Sequence, residues 1–494
     1  MVYLLILFPL AMSTLAFGVK SNRVRPLLLP LGAAVQLALV MYVIFVLAND
    51  EDVTGLGGWL LLDPLGKVVL GFVSVLFFGC SLYAPGYLAY RVDRPNRVFC
   101  TNLFVSQAMM TLVTLSHHLG LMWVAMEAMT LITAPSIYFN HNARSLEATW
   151  KYLLIGSVGI ALALLGSFFL AYSALKSGLE STLLFDQLVA DAPLLSPPWL
   201  HAAFVLLFIG YGTKMGLAPM HAWKPDAYGE APGIVGTLLA GGVTSCAFLA
   251  VLRVYQICSA GPEAQFSRQI LIVMGLLSMA VAAVFMARQR DFKRMLAYSS
   301  IEHMGILVLG VGLGGMAVYG ALLHLLCNGL TKGVLFLSAG NIHRAYNSKS
   351  TDQVRGALKR VPLSGGMFLL GYLVIAGAPP FGPFISEFTI ASAAMSSGQY
   401  LAGGLYLLFL AIVFIGMGAT VLAVVQGSPP ADMPPTTFRD SLSTSGPILL
   451  FAALALTLGL YIPDPLQALL TDAAAQVDAL DELEPRVAAA TPAP

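Results

Sequence analysis

The chain is a succession of apolar runs, each about as long as a helix needs to cross a bilayer, joined by short polar loops. A spanning helix takes ~20 apolar residues. Fourteen runs meet that length, at residues 2–18, 26–48, 64–90, 99–116, 118–139, 151–175, 198–219, 232–257, 269–288, 294–313, 316–341, 362–391, 400–426 and 446–463. Only 10% of the residues are charged, against about 25% in soluble proteins. There is no strand alternation and no long polar stretch. The pattern predicts an all-α polytopic membrane protein with 14 transmembrane helices.

Charge in the loops gives an orientation. With the first terminus outside, the loops that fall inside hold 19 of the 26 Lys and Arg. The opposite loops hold four, namely Lys67, Lys176, Arg268 and Arg486. Lys214, Arg253 and Lys332 lie within spans. The positive-inside rule predicts this separation, and one miscounted helix would scramble it. Both termini are expected on the periplasmic side of a bacterial cytoplasmic (inner) membrane. The first run carries its basic residues after it and reads as a retained helix, not a cleaved signal. The acidic stretch from Asp472 through Glu484 reads as a solvated end.

Several function classes drop out. A net charge of +1 argues against nucleic acid as a partner. Cys80, Cys100, Cys246, Cys258 and Cys327 form no grouped thiolate set, so no iron–sulfur cluster is expected in this chain. The eight histidines show no metal spacing. Gly310, Gly312, Gly314 and Gly315 follow no strand, so they read as loop chemistry and not as a phosphate cradle.

Two runs are interrupted. GYGTKMGLAPMHAW holds Lys214 and Pro219; VIAGAPPFGPFISEF holds Pro379, Pro380, Pro383 and Glu387. A charge in hydrocarbon costs about 2.5–3.5 kcal/mol on insertion scales, and paired Gly/Pro breaks in two halves of a chain point to a transport site. The runs divide accordingly: three N-terminal helices (1–98), a five-helix block (99–258), a second five-helix block (269–426), and a last helix with its tail (427–494). Five is odd, so the second block must be inverted relative to the first. Glu127 then Lys214 in the first becomes Lys293 then Glu387 in the second, acid-then-base turned to base-then-acid at similar offsets. Helices seven and twelve are the broken ones.

The candidate proton-transfer residues are Glu127, Lys214, Lys293, His303, His324, Lys332 and Glu387. Glu127 is either a carboxylate at a helix end or the partner of Lys214, since intramembrane charges face the bundle interior and pair. Desolvation and a movable opposite charge are what let a lysine take up and release a proton. His324, Asn328 and Lys332 recur every fourth residue and share one helix face, either as a core histidine beside a snorkelling lysine or as a stripe that relays protons. Lys293 follows Arg290 and Asp291, so it is a basic cap or the start of an inward path through His303. Glu302 is expected to face elsewhere. Glu387 is either an outside helix end or the exit-side acid of the second half. Arg253 reads as a headgroup anchor, and His117 and His118 as an external turn.

At these residues the chain resembles the antiporter-like subunits of respiratory complex I, of multisubunit Na+/H+ antiporters and of membrane-bound group 4 nickel–iron hydrogenases. The motifs are MEAMTL around Glu127, GTKMGLAPMHAWKPDA around Lys214, FKRMLAYSS with Lys293, HLLCNGLTKGVLFL from His324 to Lys332, and PPFGPFISEF with Glu387. The finer likeness, in HHLGLMWVAMEAMT, RSLEATWKYLLIGSVGIALALLG and LLAGGVTSCAFLAVLR, is to the F component of hydrogenase-4. The resemblance implies two inverted five-helix bundles and proton translocation driven by redox chemistry elsewhere. Glu127 and Lys214 match the family's fifth-helix Glu and seventh-helix Lys, Lys293, His324 and Lys332 match its polar positions in helices ten and eleven, and Glu387 stands where some relatives have Lys. It implies no cofactor or metal in this chain, with nickel–iron and iron–sulfur centres in partner subunits. The partners implied are other membrane subunits and a peripheral redox arm; the cargo is protons, with Na+ as the alternative.

Two departures stand out. Relatives place Lys or His in helix eight, whereas TLLAGGVTSCAFLAVLR has no titratable base before Arg253, so a link between the halves would need water or His303. The long lateral helix of the distal complex I subunit is not expected here. A cation/proton antiporter subunit and a module coupled to a non-hydrogenase partner use the same core and remain the alternatives.

Overall fold

The computed structural model describes residues 1–47, 53–261, 264–431, 433 and 435–478. The chain is a helical bundle whose apolar runs became helices. In order they are α1 (Val2–Gly18), α2 (Leu28–Tyr42), α3 (Pro64–Ala89), α4 (Arg97–Leu115), α5 (Leu119–Ile137), α6 (Ala143–Lys176) and α7 (Phe185–Asp191). Then come α8 (Pro197–Met215), α9 (Trp223–Glu230), α10 (Gly233–Thr237), α11 (Thr244–Ser259), α12 (Ala264–Met286) and α13 (Phe292–Leu313). The rest are α14 (Met316–Tyr346), α15 (Ala357–Arg360), α16 (Pro362–Ile375), α17 (Gly382–Ser396), α18 (Tyr400–Val425), α19 (Leu442–Leu460) and α20 (Asp464–Asp478). Among the described residues, 11 helical segments are long and apolar enough to cross a membrane, with Val2–Gly18 and Pro362–Ile375 as shorter apolar helices.

Both interrupted runs break as their composition requires, and by the same chemistry. α8 stops at Gly216, whose φ of 75° is left-handed, with Leu217 N–H bonded back to Gly212 O at 2.9 Å. α16 stops just before Gly377, φ 72°, with Ala378 N–H bonded to Leu373 O at 3.0 Å. A left-handed residue at a helix end is the ordinary place for glycine. The chain restarts as α9 after the first break and as α17 after the second, with Gly382–Pro383 in its first turn.

The centre is the continuous rod α10–α11 with α13 and α14, buried along nearly its whole length. Leu238–Val243 forms a π-helical turn between α10 and α11. The peripheral α6 and α18 turn Leu154, Phe168 and Ile415 outward, as surfaces facing lipid or other subunits do. Glycine lets paired helices touch backbone to backbone: Gly159 faces Gly210 between α6 and α8, and Gly275 faces Gly305 between α12 and α13. Small residues at such crossings are the usual packing device in membranes.

Several expectations fail here. A two-stranded ribbon exists, β1 (Thr54–Gly55) antiparallel to β2 (Leu60–Leu61). Arg253 is not a headgroup anchor: it is 1% exposed and forks onto Asp63, Nη1 to Oδ2 and Nη2 to Oδ1, both 2.5 Å. The segment from Asp472 begins inside α20, which buries Leu470, Ala473 and Val477 against the bundle. Gln476 of α20 donates to Asp63 Oδ2 at 2.6 Å. Residues 479–494 of the acidic tail lie outside the described residues. Gly310 and Gly312 are inside α13, and only Gly314 and Gly315 make the turn. His117 is buried in its turn, 2.7 Å from Asp186, while His118 stacks on Trp59.

Candidate functional site

Lys214 lies in the last turn of α8, just before the first break, and is 1% exposed. Its Nζ bonds the Thr130 hydroxyl of α5, and the Tyr152 ring of α6 lies 5.2 Å away. Glu127 is one turn from Thr130 on α5 and half-buried; its Oε1 accepts from Ser157 at 2.7 Å. The acid and the base therefore sit in one neighbourhood without a direct ion pair. Each is bonded to a hydroxyl instead, Lys214 to Thr130 and Glu127 to Ser157.

The second half is more continuous. Asp291 caps α13 by accepting from the N–H groups of Lys293 and Arg294. Lys293 is not part of an exposed basic cap: it is 2% exposed and donates to Ala231 O at 2.6 Å. It lies at the wall of a cavity of about 810 Å³ whose lining includes Arg91, Arg144, Glu230, His343 and Lys349. Farther along α13, Ser299 accepts from Lys332 Nζ at 2.7 Å. His303 Nδ1 meets His324 Nε2 at 2.9 Å, and His324 Nδ1 meets the Ser386 hydroxyl at 2.9 Å. Ser386 adjoins Glu387 on α17.

Glu387 Oε1 is buried with no hydrogen-bond partner. A second cavity of about 400 Å³ is lined by Ser299, Glu302, His303, Tyr372 and Glu387 among others. Seven rises of about 1.5 Å separate Lys293 from Ser300, so α13 alone carries polar groups from the first cavity well into the bundle. Asn328 of the α14 stripe also has a buried, unpartnered oxygen, Oδ1. Of the α14 stripe, His324 and Lys332 engage different neighbours on α13, His303 and Ser299. Lys293 and Glu387 do not pair; the histidines lie between their stations.

Sequence reasoning missed three members. Glu302 does not face elsewhere, because α13 is enclosed on every side: it is 2% exposed, with Oε2 3.8 Å from His303 Nε2. Ser386 was legible only as a helix serine beside Glu387. Lys224 was counted among inside-loop lysines, yet it is 0% exposed. The bulky aromatic pair around it, Trp223 and Tyr228, was the available signal.

His303, His324 and Glu387 each bring one potential ligand atom within 4.8 Å of the others. His324 spends both ring nitrogens on His303 and Ser386, so the arrangement is a hydrogen-bond chain. Each link has an atom that can both receive and give a proton, and that is the chemistry the site supports.

Known proteins match this architecture. Residues 116–417 match the family described as NADH:quinone oxidoreductase/Mrp antiporter, transmembrane. A hydrogenase-4 component F homolog of Methylacidiphilum infernorum is 35% identical over 421 residues, 82% of this chain and 86% of that protein. NADH-quinone oxidoreductase subunit N of Desulforudis audaxviator is 32% identical over 346 residues, 69% of this chain and 68% of that protein. Among solved structures, a chain of an archaeal membrane-bound sulfane sulfur reductase superposes with a TM-score of 0.86 at 21% identity, covering 97% of this chain and 98% of that one. A chain of respiratory complex I from Thermus thermophilus gives 0.75 at 25% identity, covering 93% and 96%. The chain belongs to the NADH:quinone oxidoreductase/Mrp antiporter family of transmembrane subunits.

Proposed function

We propose that this chain is a proton-translocating, antiporter-like subunit of a redox-driven membrane complex of the hydrogenase-4 and complex I kind. The observation that carries the reading is the pair of buried hydrogen-bonded segments Lys332–Ser299 and His303–His324–Ser386, which meet at the cavity lined by Ser299, Glu302, His303 and Glu387. Ionisable groups inside a membrane-spanning bundle are costly, and they mark ion pathways and proton relays.

The fourteen-span count and the inverted five-helix blocks belong to this reading. The matched glycine breaks after α8 and α16 support them. Six of the seven loops read as inside contribute to one cavity, through Arg91, Arg144, Glu230, Lys293, Lys349 and Phe438. That supports both termini lying opposite, on the periplasmic side of a bacterial inner membrane. The redox centres would sit in partner subunits; the five cysteines here are separate and buried.

Lys214→Ala and Glu127→Gln, introduced separately, should abolish proton pumping by the reconstituted complex while it still assembles. Normal pumping at normal complex yield would sink the proposal. Mass spectrometry of the gently solubilised complex should find redox subunits; cation-antiporter subunits alone would favour sodium exchange instead.

A further inference from the structure

Helix eight offers no titratable base between the halves. The Thr244 and Ser245 hydroxyls return to Ala240 O and Gly241 O of their own helix, and Cys246 lies against Met110 O at 3.9 Å. No polar group there is left to reach outward before Arg253, which is held by Asp63.

Lys224 occupies the gap. Its Nζ donates to Met215 O at 2.7 Å and reaches Ser300 O at 3.4 Å. Met215 follows Lys214 in the chain, and Ser300 follows Ser299, the residue that holds Lys332. Lys224 thus stands between the immediate surroundings of the two mid-bundle lysines. Its helix is fixed in place: Asp226 is bonded by Lys151 of α6 at 2.7 Å and by Arg294 of α13. α9 is thereby pinned to one helix from each half.

The breaks place Lys224 as they place Glu387. The α-hydrogen side of Gly216 faces the Lys224 side chain, and that of Gly377 faces the Glu387 carboxylate. Each break thus packs its left-handed glycine against the ionisable residue of the segment that follows it.

We propose that Lys224 is the proton-transfer group that joins the two halves, passing a proton between Lys214 and Lys332. This rests on the proton-translocating reading above. Neutral Lys224 accepts a proton as an N–H bond of the Lys214 ammonium breaks and one forms at Lys224 Nζ, directly or through water. That bond then breaks as one forms on neutral Lys332. One proton moves, and no electron is gained or lost.

The competing role is structural: a cation at the end of α8 satisfies a free carbonyl and complements the helix dipole. Arginine separates the two roles, because it donates and stays charged but does not release its proton. The complex carrying this chain, purified and reconstituted with luminal pyranine, is driven by the electron donor its native membranes oxidise. Lys224→Arg and Lys224→Met are compared with Lys214→Met. The expected result is that both Lys224 variants assemble and that protons moved per turnover fall at least tenfold, to the level of Lys214→Met. Native pumping in either Lys224 variant overturns the proposal, and so does failure of both to assemble, which makes the lysine structural. If Lys214→Met also pumps normally, the translocation reading itself has failed; if it alone fails to pump, only the role of Lys224 has.

Discussion

Replacing Arg253 with methionine tests what holds α11, the start of α3 and α20 together. The Asp63 and Arg253 side chains are 7% and 2% exposed and bonded as a two-pronged fork. Removing one partner of a buried pair costs about 3–5 kcal/mol, because the other charge stays behind without compensation. Asp63 would keep only Gly66 N–H at 2.9 Å and Gln476 Nε2 at 2.6 Å. Unfolding entropy near 2.1 cal/mol/K per residue gives about 1 kcal/mol/K for a chain this long, so the midpoint should fall by about 3–5 °C. Adding Asp63→Asn removes the stranded charge; its one amide oxygen can still accept from Gly66 N–H, while its NH2 end can no longer accept from Gln476 Nε2. The double variant should therefore recover part of the loss. Thermal unfolding in detergent followed by tryptophan fluorescence measures the midpoint, and limited proteolysis reports whether α20 stays docked. A midpoint unchanged in Arg253→Met, or a double variant worse than the single, would refute the reasoning.

Gly377→Ala should destabilise the chain by about 1–2 kcal/mol, the cost of a left-handed non-glycine residue, and should also slow pumping, since the added carbon meets Glu387; a thermal midpoint and pumping rate both equal to wild type would contradict this. Ser386→Ala removes the hydroxyl between His324 and α17, so pumping should drop with assembly intact, and Ser386→Thr should restore it; pumping that stays normal in Ser386→Ala argues against the relay. Burial holds the pKa of His118 below its ordinary value of 6.5. The neutral form therefore favours the closed turn. Its contribution is full above that value and is lost as pH falls through it toward the lower folded value. The Trp59 fluorescence, read as the difference from Trp59→Phe, should change only below about pH 6.5, with the change absent in His118→Asn; a transition confined to higher pH would exclude the stack as its source.

Hydropathy located the apolar helices because hydrocarbon solvates a whole helix and the signal sums over neighbours. The run at 64–90 became Pro64–Ala89, and both Gly/Pro breaks fell where the chain has no other way to place proline and glycine. Lys214, Lys293, His303, His324, Lys332 and Glu387 were singled out because each is costly in an apolar setting, and each is buried. Glu127 was singled out too, as the partner of Lys214; that Thr130 bonds Lys214 and Ser157 bonds Glu127 is invisible until α5, α6 and α8 pack. α20 escaped notice because its Asp and Gln residues lower its average while Leu470, Ala473 and Val477 line one face.

The sequence by itself determined the class of molecule, the placement of its breaks and the residues whose charge needed a reason. Those follow from local cost, which any stretch of about 20 residues declares. Only the tertiary structure decided which charges are inside and whom they meet. Lys224 reads as a loop residue among polar neighbours, yet α6 and α13 draw its short helix into the core through Asp226. Arg253 finds Asp63 from 190 positions away. Burial of a single charge depends on what distant helices bring to it, and no window of sequence contains that.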